Sequence, residues 1–134
     1  MTTDYIKQAE DFLQATGTKL KVVFVEHDYY FADDKECRDI YRFTLSRNGK
    51  SYTAKFGQSI TSNGVEPTAY DILACLSPEE PETVGDIINS FGYEINSLAD
   101  VRKLEKMARE LKRQNAGLRR LFNVHELNQL AEIN

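Results

Sequence analysis

The chain has no tryptophan and, among 134 residues, only two histidines, two cysteines and three prolines. Each shortage excludes something. His27 and His125 fall in opposite halves of the chain and no HExxH string occurs, so a helix-borne zinc site has no support. Cys37 and Cys75 form no CxxC pair and are too few for a disulfide framework, which fits a reducing compartment such as the cytoplasm. No apolar run approaches the roughly 18 residues that would suggest a membrane span. The first residues, MTTDYIKQAEDFLQATG, lack the charged-then-apolar layout of a secretory signal. There is no GK[ST] of a phosphate-binding loop and no GxSxG of a nucleophile elbow. Acidic neighbours such as Glu79 and Glu80, or Glu82 and Asp86, occupy positions that helix N-termini favour anyway. The expectation is therefore a non-enzyme, with no catalytic residue, no cofactor-binding residue and no metal ligand.

What is present fits one globular domain spanning residues 1–134. Apolar residues make up 41% and charged residues 28%, and seven Tyr and seven Phe can furnish a core of adequate size without staples. The net charge of −4 is unevenly spread. Residues 1–97 hold sixteen acids against nine bases, whereas residues 98–122 hold three acids against eight bases. An acidic chain thus carries one basic segment.

Periodicity and punctuation give an α+β reading: an N-terminal helix, a three-stranded antiparallel sheet and a helical C-terminal half. From Asp4 to Thr16, the residues Tyr5, Ile6, Ala9, Phe12 and Leu13 form a stripe expected to dock on the sheet, ending at Gly17. KLKVVFVEH alternates as a first strand, with Leu20, Val22 and Phe24 on one face. Asn48-Gly49 marks a type I′ turn and fixes a hairpin from Asp39 to Phe56, with Leu45 facing Tyr52, Phe43 facing Ala54 and Tyr41 facing Phe56. The first strand can sit beside either the second or the third. Phe56-Gly57-Gln58-Ser59 reads as a turn out of the third strand. Five caps follow, at Thr68, Ser77-Pro78, Thr83, Ser97 and Asn123. They place helices near 68–76, 78–80 (a turn at most), 83–91, 98–116 and 124–132, with a separate turn of helix at 118–122.

Two surfaces stand out. On helix 98–116, Arg102, Lys106, Arg109 and Arg113 fall on one outward arc opposite Val101, Leu104, Met107, Ala108 and Leu111, and Arg119 and Arg120 could extend it. Such a stripe suits nucleic-acid phosphates or an acidic protein, although a solvated helix face has the same composition. The segment 26–39 sets Glu26, Asp28, Asp33, Asp34, Glu36 and Asp39 around Tyr29, Tyr30 and Phe31. Acids beside aromatics suit a protein interface, or else a connecting loop whose rings fold back on the core. A calcium loop is disfavoured by the absence of EF-hand spacing.

The strings FGQSI, PTAYDILACL, FGY followed by a polar cap, and a final LF before a short acidic helix together resemble a group of small proteins encoded by tailed bacteriophages and prophages. The likeness spans about Tyr41 to Ile133. It implies an accessory or anti-defence protein, of the anti-CRISPR kind, that binds and inhibits a host defence protein or ribonucleoprotein complex. The alternative is a nucleic-acid-binding accessory protein in phage replication or regulation. No residue roles carry over from the resemblance.

Overall fold

In the computed structural model, described for residues 4–28, 38–59, 66–76 and 82–133, the chain runs α1 (Tyr5–Thr16), β1 (Lys19–Asp28), β2 (Arg38–Arg47), β3 (Lys50–Ser59), α2 (Ala69–Leu73), α3 (Val84–Phe91), α4 (Leu98–Leu121) and α5 (Val124–Ile133). The fold is α+β, with an N-terminal helix, a three-stranded antiparallel sheet and a helical C-terminal half. No helix among the described residues is long and apolar enough to cross a membrane.

Strand order is β1-β2-β3, which resolves the alternative left open by the sequence. The β2–β3 hairpin turns at Asn48 (φ 52°) and Gly49 (φ 76°), the pair of positive-φ residues a type I′ turn requires. Its register is the expected one, with Leu45 opposite Tyr52, Phe43 opposite Ala54 and Tyr41 opposite Phe56. The pairing runs further than expected, from Arg38 opposite Ser59. Phe56-Gly57-Gln58-Ser59 is therefore strand and not a turn, with Gly57 facing Ile40. In β1 the register slips between Phe24 and Glu26, leaving Val25 as a bulge. The bulge places Glu26 opposite Ile40 and brings His27 opposite Asp39, so the alternation of the strand reverses there.

One face of the sheet, built from Phe43, Leu45 and Tyr52, is covered by Ala9, Phe12 and Leu13 of α1, Ile72 and Leu73 of α2, Leu118 and Leu121 of α4, and Leu130 and Ile133 of α5. The α1 stripe docks differently from expectation. Ala9, Phe12, Leu13 and Thr16 are buried, while Tyr5 and Ile6 at its first turn stay half-exposed. Tyr5 instead stacks on Tyr70, 5.2 Å between ring centres. A smaller cluster joins Ile87 to Leu104 and Ala108, flanked by Val84, Ile88, Met107 and Leu111.

Helix starts follow the caps: the side chains of Thr68, Thr83 and Ser97 accept from the amides of Asp71, Asp86 and Asp100, and Asn123 and Glu126 cap one another reciprocally. The cap at Ser77-Pro78 and the turn at 78–80 lie outside the described residues. Helix α2 stops at Leu73, earlier than expected, because Cys75 and Leu76 bond three residues back in a tighter turn. Gly92 ends α3 in the left-handed conformation (φ 69°). The larger departure is α4. It continues unbroken through Gly117, where a break had been expected, and absorbs the separate turn at 118–122. A Cβ on Gly117 would lie 2.4 Å from Tyr52 Cδ1 and 2.9 Å from Cγ. This glycine is there for close approach of helix to sheet and does not terminate anything.

Candidate functional site

The second face of the sheet carries Lys19, Lys21 and Val23 of β1, Arg42 and Thr44 of β2, and Thr53 and Lys55 of β3. These are the residues paired across it as Lys21–Thr44–Thr53 and Val23–Arg42–Lys55. Like charges directly opposite on a sheet are destabilising, and Arg42 faces Lys55 across the β2–β3 ladder. Both are exposed, and neither has an ion pair among the described residues.

Helix α4 runs beside β3. Gly117 packs against Tyr52, and N-terminal to that contact an open groove of about 820 Å³ lies between the helix and the β3 side of the sheet. Among the described residues, Arg42, Lys55, Lys106 and Arg113 line it together with one carboxylate, Glu110. Tyr52, Thr53, Ala54, Leu111 and Gln114 complete the walls. Arg113 crosses to the sheet: both terminal guanidinium nitrogens donate to the Thr53 carbonyl at 3.0 and 2.7 Å, and the group lies 5.4 Å from the Tyr52 ring centre. Burial pushes the Tyr52 hydroxyl above the usual phenol range, against the opposing pull of Arg113.

The expected basic stripe is therefore divided. Arg102, Lys106 and Arg109 are exposed on α4, as expected, but Arg113 is committed to the edge of β3 and does not point freely outward. Arg120 also turns to this edge, donating to the Ser51 carbonyl at 3.5 Å. Arg119 does not extend the stripe. One residue along a helix is a 100° rotation, which directs it to Glu82 (3.3 Å), whose carboxylate also accepts from Asn115.

The acidic-aromatic segment comes through only at its ends. Glu26 and Asp28 are in β1 and Asp39 is in β2, so these positions belong to the ladder and not to a loop. Tyr29, Tyr30, Phe31, Asp33, Asp34 and Glu36 lie outside the described residues. His27 meets the buried Asp39 carboxylate through Nδ1. Tyr41 stands on the same face, its hydroxyl pushed up by burial and by the charges of Asp39 and Glu66. What sequence reasoning missed was the contribution of Arg42 and Lys55. The available signal was the hairpin register itself, which already placed the two cations opposite each other.

Among the described residues no cluster of three or more His, Cys, Asp or Glu could hold a metal ion. Compared with known proteins, the chain matches no family model, no curated protein sequence and no solved structure.

Proposed function

We propose that the protein is a non-enzymatic, phage-type accessory protein whose groove between α4 and the sheet binds the phosphate backbone of nucleic acid. The observation that carries this reading is the Arg42–Lys55 cross-strand pair, which has no counter-ion among the described residues, lined up with Lys106 and Arg113 in a groove to which those residues contribute one carboxylate. Placing two cations opposite each other opposes sheet formation, and a bound phosphate would relieve that repulsion. In a chain of net charge −4, four cations around one groove also form a localised attractive field for a polyanion. The acidic remainder of the surface limits contact to this face.

Inhibition of a host defence complex, as the phage-type resemblance implies, becomes a narrower proposal. The groove would engage the nucleic acid of a ribonucleoprotein, and a pull-down from host lysate with and without nuclease treatment would test that extension.

Fluorescence anisotropy with labelled single- and double-stranded oligonucleotides across a salt series tests the primary reading. Affinity should fall steeply with salt, and changing Arg42, Lys55 and Lys106 together to alanine should flatten the log–log slope by about 2 to 3, one step for each phosphate no longer neutralised. Arg113 is left intact because it also holds β3. Absence of binding at low salt, or an unchanged slope in the triple variant, would overturn the proposal.

A further inference from the structure

The two edges of the sheet are treated differently. Along β3, Arg113 and Arg120 of α4 donate to the carbonyls of Thr53 and Ser51, so the helix occupies two acceptors of that edge. Strand β1 is the opposite edge, and no described strand pairs with its outer side. At its middle, Val23 and Phe24 are 45% and 47% exposed. An open edge of ten residues is a template for another strand, which lysines and bulges commonly discourage. Here the same lysines and the same bulge fit a particular occupant.

We infer that β1 pairs antiparallel with β1 of a second copy about a two-fold axis at Val23, joining two three-stranded sheets into one of six strands. Val23 then opposes Val23 of the second copy, and Val22 opposes Phe24. Because Val25 is the extra residue of the bulge, Lys21 next meets Glu26, Leu20 meets His27, and Lys19 meets Asp28. Residues directly opposite in an antiparallel pair must share a face. The observed register satisfies that condition: Val22 and Phe24 are on the Phe43 and Tyr41 side, and Lys21 and Glu26 are on the Thr44 and Ile40 side. A regular strand would have set Lys21 against Val25 and left its charge unmatched. Axes centred on Val22 or Phe24 also keep faces consistent, but each brings only one lysine opposite a carboxylate among the described positions of β1. The axis at Val23 does so for both. Self-pairing across a two-fold is the isologous arrangement most homodimers adopt.

Sedimentation equilibrium of the full chain, in a concentration series reaching about 1 mM to capture a weak edge pairing, should show a monomer–dimer equilibrium. Lys21→Glu alone, or Glu26→Lys alone, puts two like-charge contacts into each dimer and should weaken association by about tenfold. The exchanged variant Lys21→Glu with Glu26→Lys should recover it, because each charge meets its partner across the axis. Val23→Cys in a background of Cys37→Ser and Cys75→Ser should form a disulfide-linked dimer on mild oxidation, since opposed Cα atoms are about 4.5–5.5 Å apart. Circular dichroism establishes that each variant is folded. A monomer throughout the series, a dimer indifferent to both single reversals, or an exchanged variant that stays dissociated would each overturn the inference. If a charge variant fails to fold, the wild-type series and the cysteine crosslink still decide it. None of these outcomes depends on nucleic-acid binding, because the groove cations are untouched.

Discussion

Gly117→Ala should destabilise the protein even though alanine is the better helix former. In the interior of a helix, replacing glycine by alanine is worth about 1 kcal/mol in favour of the folded state. The opposing effect is local and larger. The added methyl carbon would stand 2.4 Å from Tyr52 Cδ1 and 3.1 Å from Cε1, where ordinary contact begins near 3.4 Å, so the ring or the helix must retreat by about an ångström. Tyr52 is only 6% exposed and carries Arg113 above its ring, which leaves it little freedom to move. Overpacking of this kind costs about 1–3 kcal/mol, and retreat of α4 would also lengthen the Arg113 bonds to the Thr53 carbonyl. A net loss of up to about 2 kcal/mol follows, or a fall in Tm of up to about 8 °C for a domain of this size. Urea denaturation followed by circular dichroism measures it. Gly85→Ala is the control: its nearest neighbour would be Thr83 Oγ1 at 4.0 Å, so this change in α3 should be neutral or stabilising by up to about 1 kcal/mol. Combining Gly117→Ala with Tyr52→Val should cost less than the sum of the two single changes, since the second removes the obstacle to the first. A Gly117→Ala variant as stable as the wild type would show that the close approach to Tyr52 is not why glycine occupies this position.

Further outcomes follow from the turn and from the hairpin's anchorage. Gly49→Ala forces a side chain onto φ 76° and should cost about 1 kcal/mol in a denaturant titration, without disturbing the helical circular dichroism signal of the folded protein. Arg47 donates to the Glu126 carboxylate at 2.6 Å and to the Leu121 carbonyl at 2.8 Å, tying the hairpin end to the α4–α5 junction. That hydrogen bond from Arg47, followed by the Asn123 amide, holds the Glu126 carboxyl below its ordinary value. A depressed carboxylate stabilises fully above its unfolded pKa and loses that contribution as pH falls through the folded one. The stability gap between wild type and Glu126→Gln should therefore be full at neutral pH, narrow as the pH falls below the ordinary carboxylate range and vanish once it is below the depressed folded value, and a gap that does not change with pH would contradict this account.

The parts of the fold that could be read from sequence are those governed by neighbours along the chain. Asn48-Gly49 dictated the register because this pair favours a two-residue type I′ turn, which sets which residues face each other across the hairpin, and the caps at Thr68, Thr83 and Ser97 act over three residues. The departures have distant causes. Gly117 resembles a helix stop until Tyr52, far away in sequence, is found against it. His27 resembles an isolated polar residue until the Val25 bulge turns it toward Asp39. Arg113 resembles one more solvated cation until Thr53, an edge residue of β3, supplies the acceptor. The groove was half legible: α4 supplied an arc of cations by periodicity, but its pairing with Arg42 and Lys55 depends on which side of the sheet the helix lies.

The unbroken course of α4 also bears on the order in which the protein comes apart. Its C-terminal half, with Leu118 and Leu121, belongs to the main core, whereas Leu104 and Ala108 of its N-terminal half meet only the small cluster with α3. A segment held by little apolar packing opens at lower free energy than the global transition. Amide protons of α3 and of the first turns of α4 should then exchange with solvent deuterium faster than those of β2 and the end of α4. One helix would thus show a gradient of protection along its length, with the boundary near Leu111, where its packing passes from α3 to the sheet.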